Sequence, residues 1–268
     1  MDCQDAVLLG KLNGSEDGTM LIAENITKSF GGIKAVDACS IDVKKGSITG
    51  LIGPNGSGKT TLFNIITGFY RPDAGSIHFN QQPIHGLKPS RICHKGIGRT
   101  FQITRLFWKM TVLENLIVPV KQIGWRILLS QGVKKHEEER AMELLDWVGL
   151  SQYRDQEVRK LSFGQQKLIE LIAVLMSDPD LILLDEPAGG VNPVMIEKMM
   201  EMVESLNHQG KTFLLVEHNM RLVMELCQYI IVLDHGQKIA EGVPADIQNN
   251  PLVLEAYLGS TQNVNASA

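Results

Sequence analysis

Three features of this sequence predict an α/β fold built on a mostly parallel sheet. Short, unbroken apolar runs alternate with amphipathic helical stretches in the second half of the chain. A glycine-rich turn stands between one strand-like run, Ser47 to Ile52, and a helix start at Thr60. The apolar run Leu181 to Leu184 ends in two carboxylates. A strand buried on both faces reads as a continuous apolar run, and alternating β and α units imply parallel strands covered by helices.

The elements follow in order. Residues 1–18 read as a polar, flexible leader. Strands begin at Met20, with β runs at Ile41 to Val43 and Ser47 to Ile52 around the turn Lys45-Gly46, and another at Ser76 to Phe79. The middle is helical: Ala141, Leu144, Leu145 and Val148 fall at helical spacing before the stop signal Gly149, and Glu137 to Arg140 form a solvated face. Gln165 to Met176 is a helix ended by Asp178-Pro179. Pro193 to Asn207 is a helix with Ile196, Met199, Met200, Val203 and Leu206 inward, and Thr212 to Val216 is a buried strand. Tyr229 to Leu233 and Lys238 to Ala240 form a hairpin.

Length and composition agree with one compound domain. The chain has 268 residues, 44% of them hydrophobic and 21% charged, enough for one large core and a small satellite. A net charge of −4 gives no reason to expect a nucleic-acid surface. Spanning a membrane takes about 18 uninterrupted apolar residues; the best run, Leu168 to Met176, is short and carries Glu170. No basic stretch opens the chain, so no signal peptide is expected and a cytosolic location is. Cys3, Cys39, Cys93 and Cys227 are scattered, with no CxxC pair. They read as free, mostly buried thiols in a reducing compartment.

Two segments carry chemistry. Gly53-Pro54-Asn55-Gly56-Ser57-Gly58-Lys59-Thr60 fits G-x-x-x-x-G-K-[ST] at every fixed position, after a strand and before a helix that Gly68 stops. The glycines let successive N–H groups wrap a phosphate chain, and the helix N-terminus adds a positive dipole end. Lys59 supplies a charge for the β- and γ-phosphates, Thr60 a hydroxyl for Mg²⁺ and Thr61 one for the α-phosphate. The second segment is Asp185-Glu186-Pro187. Ligand sites of open α/β sheets lie at the C-terminal ends of strands. Asp185 suits Mg²⁺ through water, and Glu186, facing the other way, suits polarising an attacking water.

Leu161-Ser162-Phe163-Gly164-Gln165 then resembles the LSGGQ signature of ABC ATPases, in its expected place before the Asp185-Glu186 strand. Other landmarks of that family follow the same order. Gln102 in GRTFQ resembles the Q-loop glutamine, which also faces the metal. Gly189-Gly190-Val191-Asn192 resembles the D-loop, His218 the switch histidine, and Phe30 the aromatic that stacks on adenine. Phe163 replaces a glycine of the signature, and Asn192 stands where aspartate is usual. The segments GRTFQITRLFWKMTVLENL, LDEPAGGVNP and LEAYLG resemble the larger ATPase type of branched-chain amino-acid uptake systems, a subfamily with relatives assigned to urea and other polar solutes.

The resemblance implies a P-loop NTPase (RecA-like) core with an N-terminal antiparallel β subdomain and an inserted helical subdomain. The sheet core would be 19–101 and 178–242, the helical part 102–177, a C-terminal helical extension 243–260 and a flexible tail 261–268. It implies ATP and Mg²⁺ as ligands. It also implies ATP sandwiched between the Gly53 to Thr61 loop of one subunit and the Ser162, Gly164 and Gln165 segment of another. The second ATPase subunit is like or paired, because one loop and one signature cannot complete a site alone. Transmembrane permease subunits and, indirectly, a solute-binding protein complete the set, placing the chain at the cytoplasmic face of the inner membrane. The apolar stretch Ile103 to Trp125, with Phe107 and Trp108, either docks the permease or packs the satellite core. Two rivals remain: an ABC ATPase acting on ribosomes or DNA, and a P-loop kinase of small molecules.

Overall fold

The computed structural model describes residues 18–120 and 135–265. In chain order it holds β1 (Thr19–Phe30), β2 (Ile33–Lys44), β3 (Ile48–Ile52), α1 (Lys59–Ile66), β4 (Ala74–Phe79), β5 (Gln82–Pro83), α2 (Pro89–Cys93), β6 (Ile97–Arg99) and α3 (Val112–Ile117). There follow α4 (Lys135–Trp147), α5 (Phe163–Leu175), β7 (Leu181–Asp185), α6 (Pro193–His208), β8 (Thr212–Val216), α7 (Met220–Leu226), β9 (Tyr229–Asp234), β10 (Gln237–Gly242), α8 (Pro244–Gln248) and α9 (Pro251–Asn265). The leader to residue 17, Trp125 and residues 266–268 lie outside the described residues, whereas α9 runs through the 260/261 boundary.

The described residues of 1–95 and 207–268 form one compact unit, and those of 96–206 a second. The second unit carries strands β6 and β7 as well as helices.

In the first unit, β3 lies between β8 and β9 and is parallel to both, while β9 and β10 form the antiparallel hairpin. Every residue of β3 and β8 is buried, which is why both read as unbroken apolar runs. A separate antiparallel sheet has the order β2-β1-β4-β5. The helix α1 begins one residue earlier than predicted, at Lys59, and ends before Gly68. Gly68 has φ +76°, and a Cβ there would lie 2.4 Å from the Leu87 carbonyl oxygen, so glycine is required at that turn.

In the second unit, β6 and β7 pair in parallel, with Ile97 opposite Leu181 and Arg99 opposite Leu183. Gly98 lets β6 approach α5, since a Cβ there would meet the Val174 side chain at 2.5 Å. Along α4, Ala141 and Leu145 are buried as the spacing predicts, and Gly149 follows at φ +69°. The inward face of α6 is Met199, Met202, Val203 and Leu206. Met202 therefore takes the position expected of Met200, because the i, i+3, i+4, i+7 stripe runs from Met199. The stretch after Gln102 divides: Leu106, Val112, Leu116 and Ile117 pack inside, while Ile103, Phe107 and Trp108 are exposed.

Candidate functional site

The glycine-rich loop expected to hold phosphates lies in the first unit. The chain leaves β3 at Ile52 and turns through Gly53 (φ +147°), Gly56 (φ +81°) and Gly58 (φ +101°) into α1. A Cβ on Gly58 would lie 2.4 Å from the Ala35 carbonyl oxygen, so the loop presses against β2. The Ser57 hydroxyl and the carbonyls of Gly53 and Pro54 accept from the Lys59 ammonium at 3.2, 2.8 and 2.8 Å. That ammonium is held inside the curve of the loop, 5% exposed at its residue. Helix α1 has no side-chain cap and no acidic residue in its first turn, so its first N–H groups stay available to an anion. The helices α3, α5 and α7, by contrast, are capped by Thr111, Ser162 and Asn219. Thr60 is exposed and Thr61 half-buried at the start of α1. The residue types, the glycine conformations and the uncapped helix fit a polyphosphate.

Two further predicted residues lie in this unit. Phe30 is 43% exposed at the end of β1, and its ring stands edge-on to Tyr70, centroids 5.2 Å apart. Tyr70, which the sequence reading missed, thus braces the ring, and the Lys28 ammonium lies over the same ring, 5.6 Å from its centroid. His218 is exposed just after β8. The buried Glu217 carboxylate accepts from the N–H groups of His218 and Asn219 at 2.9 and 3.1 Å and fixes that turn. Tyr257 on α9 was also missed. Burial pushes its pKa above the ordinary tyrosine value, and the Gly53 backbone beside the phenol pulls it part of the way back. The same ring lines an apolar hollow of about 580 Å³ with Met220, Met224, Ile247, Val253 and Leu254.

The carboxylate half is built in the second unit. Strand β7 delivers Asp185, 2% exposed, whose Oδ2 accepts from the Arg99 guanidinium at 2.7 Å. Asp185 N–H donates to the Thr100 hydroxyl at 3.3 Å, and Thr100 N–H to the Leu183 carbonyl at 3.0 Å, so β6 fixes the strand end. Burial pulls the Arg99 pKa down and the Asp185 partner pulls it back. Asp185 Oδ1 is buried with no hydrogen-bond partner. An orphaned carboxylate oxygen is costly unless a ligand uses it, and one carboxylate with waters and phosphate oxygens is a usual Mg²⁺ set. Among the described residues no cluster of three or more His, Cys, Asp or Glu could hold a metal without such help. Glu186 follows at φ +49°, a conformation a non-glycine residue holds at a cost and one concentrated at active sites. Its Oε2 accepts from the Gln102 amide at 2.8 Å, so two predicted residues are brought together.

The signature segment opens α5. Ser162 and Gln165 form a reciprocal capping box: the Ser162 hydroxyl accepts from the Gln165 N–H at 3.4 Å, and the Gln165 side chain from the Ser162 N–H at 2.9 Å. A Cβ on Gly164 would meet Met195 and Val191 at 3.2 Å. Phe163 is 44% exposed and covers Gly190, where a Cβ would lie 3.2 Å from its ring. The departure at Asn192 has a local reason: its Oδ1 accepts from Met195 N–H at 3.0 Å, a cap that asparagine performs as well as aspartate.

Comparison with known proteins agrees with these halves. Residues 36–189 match the ABC transporter family, and residues 237–261 match the branched-chain amino acid ATP-binding cassette transporter family. A probable branched-chain amino acid transport ATP-binding protein of Archaeoglobus fulgidus is 44% identical, covering 90% of this chain and 96% of its own. A high-affinity branched-chain amino acid transport ATP-binding protein of Escherichia coli is 38% identical over 90% of this chain and 98% of its own. Among solved structures, the ADP conformation of an ATP-binding cassette of an ABC transporter has a TM-score of 0.80 at 37% identity, covering 90% of this chain and 99% of that one. A nucleotide-free cassette has a TM-score of 0.79 at 38% identity, covering 89% and 98%. With the phosphate loop, the Asp185-Glu186 strand end and the capped signature helix in one chain, the protein belongs to the ABC transporter family as one of its ATP-hydrolysing cassettes.

Proposed function

We propose that this chain is the ATPase subunit that powers import of branched-chain amino acids through separate permease subunits, working at the cytoplasmic face of the membrane. Among the described residues no helix is long and apolar enough to cross a membrane, so a membrane function requires partners. The observation that carries the reading is the uncapped phosphate loop holding a buried ammonium in the first unit; the second unit separately offers a strand end with Asp185 and Glu186. The cargo rests on the names of the relatives and on the match of residues 237–261; urea or another polar solute is the alternative.

In the reaction, Gly53 to Thr61 bind the triphosphate and Phe30 stacks on the adenine. Thr60, Asp185 and Gln102 are the residues that would hold Mg²⁺, which when bound would supply charge neutralisation on the polyphosphate. Glu186 accepts the proton of a water whose oxygen attacks the γ-phosphorus; the bond to the bridging oxygen breaks and ADP leaves. Gln102, bonded to Glu186, holds that carboxylate in place, and His218 meets the γ-phosphate. Ser162, Gly164 and Gln165 meet the nucleotide bound by a second ATPase subunit, identical or paired. ATP then favours the closed pair and hydrolysis its opening. An external solute-binding protein delivers the cargo to the permease.

The test is uptake of labelled leucine, isoleucine and valine by cells lacking the gene. Restoration by the wild-type chain and not by Glu186→Gln, with Glu186→Gln accumulating as an ATP-bound dimer on a sizing column, is the expected result. Restored urea uptake with unchanged leucine uptake would move the assignment to the alternative cargo. Full hydrolysis by Glu186→Gln would remove Glu186 from the chemistry.

A further inference from the structure

Helix α5 is buried along most of its length, yet two charged residues sit inside it. Lys167 is 3% and Glu170 is 5% exposed. Burying an ammonium and a carboxylate in an apolar helix costs their hydration, and apolar side chains of similar volume pack at least as well. Packing alone therefore gives no reason for these two residues, but their hydrogen bonds do. The Lys167 ammonium donates to the carbonyls of Phe101 and Gln102 at 2.8 and 2.6 Å. Glu170 Oε1 accepts from the N–H groups of Phe101 and Arg105 at 3.3 and 3.2 Å. Together they hold the backbone on both sides of Gln102, and the Gln102 side chain reaches Glu186. The Arg105 guanidinium lies 4.0 Å above the Phe101 ring and stiffens the same turn. Lys167 stands five residues from Ser162 on one continuous helix, roughly 7.5 Å along its axis.

We propose that Lys167 and Glu170 are positioning residues that fasten the Gln102 loop to the signature helix. A displacement of the Ser162 end of α5 is then delivered, through two buried side chains, to the Gln102–Glu186 hydrogen bond. A subunit whose signature has not engaged a neighbour's nucleotide holds Gln102 differently from one whose signature has. The proposal deepens the reading above and rests on Gln102 and Glu186 acting in hydrolysis.

Two measurements on the full-length chain test it. The first is kcat and KM for MgATP of Lys167→Met, Lys167→Arg, Gln102→Ala and the double variant Lys167→Met/Gln102→Ala. Lys167→Met is expected to lower kcat on the order of tenfold, with KM within about twofold, since misplacement by a fraction of an ångström has such an effect. Lys167→Arg should recover most of that loss, and the double variant should be no slower than the slower single one. The second is native-state amide hydrogen exchange of Phe101 and Arg105, which Glu170→Ala should accelerate more than it accelerates exchange in strands β6 and β7 of the same unit. Losses in kcat that multiply in the double variant, or exchange unaltered by Glu170→Ala, would overturn the clamp. Undiminished kcat in Gln102→Ala would instead sink the role of Gln102, leaving exchange to decide whether the clamp exists.

Discussion

Replacing Gly53 by alanine tests the phosphate loop most sharply. An alanine Cβ at this position would lie 2.0 Å from the Leu233 carbonyl oxygen and 2.8 Å from the Ser57 hydroxyl. Relieving the first contact needs a shift of more than an ångström between the ends of β3 and β9, which are locked by the pairs Leu51–Ile231 and Ile52–Val232. Gly53 also has φ +147°, which an L side chain adopts only with strain. Strain of about 1–3 kcal/mol together with overpacking of about 1–3 kcal/mol predicts a loss of about 2–6 kcal/mol. Gly56 is the internal control: at φ +81° it has no atom within 4 Å of a Cβ, so alanine there brings backbone strain alone, about 1 kcal/mol. In a chain of this length about 2–4 °C of melting temperature follows each kcal/mol. Gly53→Ala should therefore melt about 10 °C lower and Gly56→Ala about 3 °C lower. Because the Gly53 carbonyl accepts from Lys59, Gly53→Ala should also lose affinity for a fluorescent ATP analogue in a titration. Equal melting temperatures for the two variants would refute the claim that the close approach of β9 dictates glycine at 53.

Two other outcomes follow from burial and from the last helix. Burial pushes the Cys39 thiol up to about 11 and the Cys227 thiol up to about 12, while Cys93 is exposed. Raised values keep the thiol form as pH climbs through 8, so in a Cys3→Ser background iodoacetamide at pH 8 should label Cys93 and leave the other two, as read by mass spectrometry. Tyr257→Phe removes the phenol oxygen beside the Gly53 backbone and should raise KM for ATP about 2–10-fold, the worth of one hydrogen bond; an unaltered KM would show the contact to be idle.

Much of this was readable beforehand, for reasons that can be named. Strands β3, β7 and β8 are buried at every position, so their runs are unbroken and their limits sharp. The phosphate loop was legible because its glycines are dictated by backbone conformations that few residues adopt. Met202 was missed in favour of Met200 because a run of methionines offers two overlapping helical stripes, and only packing chooses between them. Arg99, Lys167 and Glu170 were missed for a different reason. Their roles depend on partners that only folding brings near: 86 residues separate Arg99 from Asp185, and 65 separate Lys167 from Gln102. Glu170 did leave a trace, as the one acidic residue interrupting the longest apolar run. A charge that breaks such a run, and thus disqualifies it as a membrane segment, is worth asking about as a buried fastener.

The Tyr257–Gly53 contact has a practical side. Anyone cloning this gene for purification would ordinarily append an affinity tag to whichever end is convenient. Tyr257 on the last helix stands beside the first glycine of the phosphate loop, so removing that helix should alter ATP affinity as well as stability. Truncations that stop just before and just after Tyr257 would separate that effect from the rest of the helix, read as KM for ATP.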